Sequence, residues 1–548
     1  MVEFKISMIF LYFMFILLIM MLFNSLFIEW EIYMNESLDF GFLMIFDWLS
    51  LTFLLFLLLI SLSVVIYSKS YMFNDYFKSR FVILLSLFII SMIFLIISPN
   101  VLTLMLGWDG LGLVSFCLIA FYQNSKSLNA SVITFMFNRV GDSFIYLMMY
   151  FFIIVNSMNF VFFDMFFFNQ IPLVCLFLAC MTKSAQMPFS VWLPLAMAAP
   201  TPVSSLVHSS TLVTSGVFLL IRFNDFYLHP NFLFEILFIL TLMMSSVSAC
   251  LEKDLKKIIA LSTLSQLSLM LLMLMEGFME VCFLHLLIHA VFKCLLFLCS
   301  GLIIHSFNGE QDIRYMGNFV SFYPILLCYL NISFLVLMGL PFLSAFYTKD
   351  FFLEIMNLNS YGNLLVMMSV YISILLTIVY SFGLMYKLNL FFFSYSSWVV
   401  IFKDSYIKFS LFLLLILSLF IGSLFMWMIS LSLEFFCLSF YFKIVFYFFF
   451  MLGILLSYVN MKNLYFQSSM FIGEVLNMNY YMNIFFYNFY KFIEKGWAEV
   501  LIGPGIYKNY GVFTFFYSYS QANKLQFYLL LFIIMVMIYI YLNSLISV

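Results

Sequence analysis

Charge is what this 548-residue chain has least of: 9% of its residues are Asp, Glu, Lys or Arg, and arginine stands only at positions 80, 139, 222 and 314. Set against 66% hydrophobic and 22% aromatic residues, so little charge cannot cover a soluble surface. A net charge of -2 with no basic stripe excludes nucleic acid as a partner. No GxGxxG stretch occurs, so nucleotide chemistry has no fingerprint here. The nine cysteines form no CxxC pair; Cys175/Cys180 and Cys294/Cys299 are five apart inside apolar runs, and all read as reduced, packed thiols.

What the chain has instead is long apolar runs. Met8 to Phe27, Leu411 to Phe425 and Leu529 to Leu542 approach or reach the ~20 residues that a spanning helix needs. They do not alternate as barrel strands would. Acidic Glu29, Glu31 and Glu36 follow the first run where a cleavage site would carry small residues, so it reads as a retained helix. Charged and Pro/Gly punctuation predicts an all-α polytopic membrane protein. Its helices are expected near 7–28, 43–67, 79–98, 99–121, 131–156, 172–199 (broken), 203–223, 231–250, 258–275, 280–305, 321–358 (broken), 364–388, 408–428, 440–458 and 525–546, about 15 spans.

Loop charge checks that count. Loops after even-numbered spans hold Lys69, Lys78, Lys126, Lys253, Lys256, Lys257, Arg314, Lys387, Lys403 and Lys462, whereas loops after odd-numbered spans are mainly acidic, with Arg222 the exception. Met1 is thereby expected on the basic side and Val548 on the other. Between the last two spans, Asn479, Asn483, Asn488, Lys491, Glu494, Lys495 and Glu499 recur at helical spacing, which predicts an amphipathic helix along the surface.

Ionisable groups at bilayer depth cost several kcal/mol, so each marks transport or pairing. Asp109 lies in GWDGLGLVSF, Lys183 in CMTKSAQMPF, His208 in PTPVSSLVHSSTLV, Lys349 in PFLSAFYTKD, and His285, His289 and Lys293 share FLHLLIHAVFK at four-residue spacing, hence one helical face. Moving a carboxylate toward or away from a desolvated lysine changes that lysine's hold on a proton. Asp109 as modulator, Lys183 as carrier and His208 as relay toward Lys293 and Lys349 therefore make a minimal pump. Inert buried ion pairs are the competing reading. The two histidines could ligate a metal, but no third ligand is evident and Lys293 on their face would repel a cation, so a proton relay fits better. Four of the ten prolines, Pro188, Pro194, Pro200 and Pro202, crowd beside Lys183, and Gly339 and Pro341 precede Lys349. Broken helices of this kind sit where transporters place their sites.

The strings GWDGLGLVSF, NRVGD, KSAQMPFSVWLPLAMAAPTPVSSLVHSSTLVTSGVFLLIRF, DLKKIIALSTLSQL, HAVFKCLLFLCSGLIIHSFNGEQDIRYMG and PFLSAFYTKD, covering about 100 to 350, closely resemble the antiporter-like (Mrp-type) subunit 5 family of mitochondrial NADH:ubiquinone oxidoreductase, respiratory complex I. The abundance of Phe, Met and Tyr fits a small AT-rich genome such as a mitochondrial one. The resemblance implies a proton-pumping subunit of the membrane arm in the mitochondrial inner membrane, N-terminus in the matrix and C-terminus in the intermembrane space. It implies N-terminal spans over 1–78, a five-helix repeat over 79–223, an inverted copy over 224–388, further spans over 389–460, a lateral helix within 461–524 against neighbouring antiporter-like subunits, and an anchor over 525–548. Asp109, Lys183, His208, His285, His289, Lys293 and Lys349 match the family's proton-transfer positions. The resemblance also implies that this chain holds no cofactor, with NADH, flavin, iron-sulphur clusters and ubiquinone handled by other subunits, and that lipids, cardiolipin among them, contact it. Two departures stand out: Asp109 replaces the usual glutamate, and the N-terminus lacks one helix that many relatives carry. The alternatives are a stand-alone cation/proton antiporter subunit and a structural subunit whose charges are inert.

Overall fold

The computed structural model describes residues 9–11, 13, 14, 17, 25–34, 39–73, 75–154, 170–223, 232–317, 323–358, 364–390, 405–429 and 440–462. Most of the helix expected near 7–28, the lateral helix within 461–524 and the anchor over 525–548 lie outside these residues.

The chain is mostly helical, with one correction to the all-α expectation. Leu26–Met34 (β1) and Asp39–Phe46 (β2) form an antiparallel hairpin, pairing Glu29 with Leu43 and Glu31 with Gly41. The expected helix ends at 28 and 43 gave way because Glu29 and Glu31 repeat every second residue among β-branched and aromatic neighbours, a strand pattern. The next helix starts only where Asp47 caps it, its backbone N–H donating to Ser50 Oγ at 2.8 Å.

Fifteen helical segments follow: α1 (Trp48–Tyr71), α2 (Lys78–Ile97), α3 (Val101–Ile119), α4 (Ser125–Ile154), α5 (Gln170–Lys183), α6 (Trp192–Ala196), α7 (Thr201–Arg222), α8 (Phe232–Leu251), α9 (Leu255–Met275), α10 (Met279–Ser306), α11 (Pro324–Met338), α12 (Ser344–Leu358), α13 (Leu364–Leu390), α14 (Ser405–Ile429) and α15 (Phe440–Lys462). Among the described residues nine helices are long and apolar enough to cross a membrane, and three shorter helices are comparably apolar.

Position follows polarity pattern. Helix α10 is buried on all sides and central, packing against α1, α7, α9, α11, α12 and α14. Helix α14 instead exposes Phe409, Phe412, Phe420, Leu424 and Trp427, spaced three, four, seven or eight apart along one outward stripe. Such a stripe suits lipid, which is as apolar as the side chains themselves.

Both expected breaks are present. Helix α5 stops at Lys183 and the chain resumes helical form at Trp192; α11 stops at Met338, Gly339 takes φ +81°, and α12 begins at Ser344. Only glycine reaches that left-handed conformation without a steric penalty, which makes Gly339 the natural stop for α11.

Candidate functional site

Lys183 is the last residue of α5 and is wholly buried. Its helix ends because Ala185 turns to positive φ while Gln186 N–H donates back to Met181 O at 3.0 Å. Across the break, Trp192 Nε1 donates to the Thr182 carbonyl at 3.0 Å, satisfying a group that the ended helix leaves open. Two close approaches hold the segment still. A Cβ on Gly216 of α7 would stand 2.7 Å from the Cys180 carbonyl, and one on Gly141 of α4 would strike the Thr182 hydroxyl.

The Lys183 ammonium donates to the Trp108 carbonyl of α3 at 3.2 Å and lies 4.6 Å from that residue's ring centroid. Trp108 Nε1 in turn donates to Asp142 Oδ1 at 2.8 Å, and Arg139 pairs with Asp142 at 3.0 Å and with Asp109 at 3.8 Å. Two carboxylates thus serve Lys183. Asp142 is buried and its charge acts on Lys183 more strongly than that of Asp109, whose side chain is 30% exposed. Asp142 was not among the sequence candidates, although it closes the NRVGD string with Arg139 at i−3, a signal that helical spacing alone supplies.

His208 lies in a stretch of π-helix, Ser204–Thr211, inside α7. Here the hydroxyls of Ser209, Ser210 and Thr211 donate to the carbonyls of Ser205 and Leu206, backing up the widened ladder. Both imidazole nitrogens of His208 are buried without a hydrogen-bond partner among the described residues, and the ring stands 6.2 Å from that of Trp192.

In the second half of the molecule, His285, His289 and Lys293 are all buried along one face of α10. The structure brings His285 to α12, with Nδ1 at 2.8 Å from Thr348 Oγ1. Lys293 donates to Ser262 Oγ of α9, and Lys349 donates to the Leu337 carbonyl at 2.5 Å, where the last turn of α11 leaves carbonyls open to a cation. Lys349 is near enough for its charge to act on His285, His289 and Lys293. Both nitrogens of His289 have no hydrogen-bond partner among the described residues. The seven candidates therefore fall into an Asp109–Lys183 group, a His285–His289–Lys293–Lys349 group, and His208 on the π-helical stretch. Ser262, Thr348 and Trp108 join them, and nothing in their residue types or spacing distinguished them beforehand.

One feature separates these lysines from structural ion pairs. Among the described residues no carboxylate lies within 4.0 Å of Lys183, Lys293 or Lys349; their acceptors are two carbonyls and a hydroxyl. A neutral acceptor does not lock an amine in its charged form as a carboxylate does.

Three family models match consecutive stretches. One described as NADH-Ubiquinone oxidoreductase (complex I), chain 5 N-terminus covers 30–82, one as NADH:quinone oxidoreductase/Mrp antiporter, TM covers 98–377, and one as NADH dehydrogenase subunit 5 C-terminus covers 380–543. Curated proteins called NADH-ubiquinone oxidoreductase chain 5 are similar over nearly the whole length. That of Anopheles quadrimaculatus is 42% identical over 533 residues, 92% of each chain, and that of Locusta migratoria 43% identical over 522 residues, 90% of each. Among solved structures, a chain of the Mrp complex from Dietzia sp. superposes with a TM-score of 0.72 at 21% identity, covering 86% of this chain and 54% of its own. A chain of a membrane-bound sulfane sulfur reductase, an archaeal respiratory membrane complex, gives 0.67 at 19% identity, covering 76% and 70%. At those identities the likeness is one of fold.

Proposed function

Because this chain belongs to the NADH-ubiquinone oxidoreductase chain 5 family, we propose that it is a proton-translocating subunit of the complex I membrane arm, in the mitochondrial inner membrane. It moves protons while other subunits carry electrons from NADH to ubiquinone, and it holds no redox cofactor of its own. The observation that carries the mechanism is the set of buried lysines resting on neutral acceptors. Among the described residues none is in direct contact with a carboxylate, so each can give up its proton without breaking a salt bridge, which an inert ion pair cannot do.

Protons pass by way of Lys183, His208, His289, Lys293, His285 and Lys349. Asp109 and Asp142, joined by Arg139, set how tightly Lys183 holds its proton: a shift of Arg139 between the two carboxylates alters the field at Lys183 without moving the lysine. Buried imidazole nitrogens that no described protein group satisfies are the points at which a water chain is anchored.

Finer assignments complete this reading. The chain has about 15 spans, with inverted repeats over 79–223 and 224–388, the matrix on the basic side at the N-terminus, and the C-terminus in the intermembrane space. A lateral helix within 461–524 lies along neighbouring antiporter-like subunits and is anchored by 525–548. A partner also covers the α3/α4 face, where partly exposed Asp109 and Arg139 lie among exposed Leu106, Leu113, Met136 and Tyr146. Lipid would leave that ion pair unsolvated, whereas a protein neighbour can complete it. Lipids, cardiolipin among them, contact the remaining apolar surface.

The test is Lys183→Ala or Lys293→Ala in the assembled complex. Proton-coupled quinone reduction falls strongly if the lysines carry protons. Unchanged pumping with intact assembly would return these residues to a structural role.

A further inference from the structure

A cavity of about 50 Å³ lies at the basic end of the second half, between α8, α9, α13, α15 and the segment after α10. Among its lining groups are Cys250, Glu252, Ile313, Tyr380, Lys387 and Ser457. Water needs only ~10–15 Å³ of such space per molecule, so several fit. The outer end carries partly exposed Glu252 and Lys387, beside Lys253, Lys257 in the first turn of α9, and Arg314. At the inner end Tyr380 is buried on the cavity wall, with the hydroxyls of Ser265 and Ser262 close to its own. Ser262 is the residue whose Oγ receives the Lys293 ammonium.

We propose that Tyr380 and Ser262 form a proton branch joining this cavity, and through it the basic side of the membrane, to Lys293. The inference rests on the pumping role given to Lys293 above. An excess proton entering along the cavity water from the basic side passes to the Tyr380 oxygen as Tyr380 releases its own to Ser262 Oγ, and Ser262 releases its own to the neutral Lys293 amine. Each hydroxyl gains one proton and loses one, so both return to their starting state and only the lysine changes charge. The same steps reversed discharge Lys293 toward the basic side. A buried hydroxyl on the wall of a cavity large enough for water, beside a serine already bonded to a lysine, is placed to pass a proton between the two.

The experiment is proton-coupled quinone reduction by the assembled complex in proteoliposomes. Tyr380→Phe deletes one oxygen and is expected to lower the coupled rate roughly tenfold. Tyr371→Phe, which deletes another buried hydroxyl, one already paired with Asn357, leaves it unchanged. Ser262→Ala repeats the loss and Ser262→Thr restores the rate by restoring the hydroxyl. Adding Tyr380→Phe to Lys293→Ala lowers the rate no further, because the groups act in series. A wild-type rate in Tyr380→Phe alongside a defective Lys293→Ala overturns the branch and leaves the pumping role standing; an unaffected Lys293→Ala overturns the pumping role itself.

Discussion

Trp108 holds Lys183 and Asp142 apart by touching both: its carbonyl accepts from the lysine at 3.2 Å while its indole N–H donates to the carboxylate at 2.8 Å. A direct Lys183–Asp142 bond would be a stable buried ion pair and a poor proton carrier. Trp108→Phe keeps an aromatic ring and the backbone carbonyl but removes the indole donor and part of the buried ring volume. We expect it to destabilise the complex by about 1–3 kcal/mol through the stranded Asp142 oxygen, and to slow coupled turnover more than that loss explains. Thermal stability and turnover measured on the same preparation separate the two effects.

Asp142 and Asp109 differ in burial, and the difference has a consequence for mutagenesis. Asp142→Asn should impair proton-coupled quinone reduction more than Asp109→Asn, because the buried carboxylate acts more strongly on Lys183. Asp109→Glu, which lengthens a partly exposed side chain, should stay within about threefold of the native rate. Equal defects in the two Asn variants would contradict the ranking.

Thr348 links α12 to His285 at 2.8 Å. Thr348→Val keeps shape and burial while removing the hydroxyl, and is expected to cost about 1–3 kcal/mol and to slow proton-coupled turnover. Thr348→Ser retains the bond and should retain the rate. If valine turned over as fast as serine, His285 would not depend on this contact.

Gly216 tests how rigidly the end of α5 must be held. An alanine there places Cβ 2.7 Å from the Cys180 carbonyl, so helices α5 and α7 must separate, at about 1–3 kcal/mol. A lowered melting temperature of the assembled complex, with turnover falling further as Lys183 shifts off Trp108, is the expected result.

Much of this was legible in residue order, and the reasons are specific. The breaks at Lys183 and ahead of Lys349 were announced by proline and glycine, whose backbone limits act locally. His285, His289 and Lys293 share a face because helical spacing alone requires it. Asp142 was missed because its importance lies in Trp108 thirty-four positions away, a contact made by packing α3 on α4. The acceptors of the three lysines were hidden for the same reason: a carbonyl carries no mark of which distant amine it will meet. The hairpin was missed because the apolar run leading into Leu26 masked the alternation of Glu29 and Glu31.

The wide turns around His208 leave that helix with spare chain. The imidazole sits where α7 is wound widest, just ahead of the segment that Gly216 keeps close against α5. A relay placed there is joined to neither group of lysines by a hydrogen bond within the described residues, so water has to carry the proton on both sides of it.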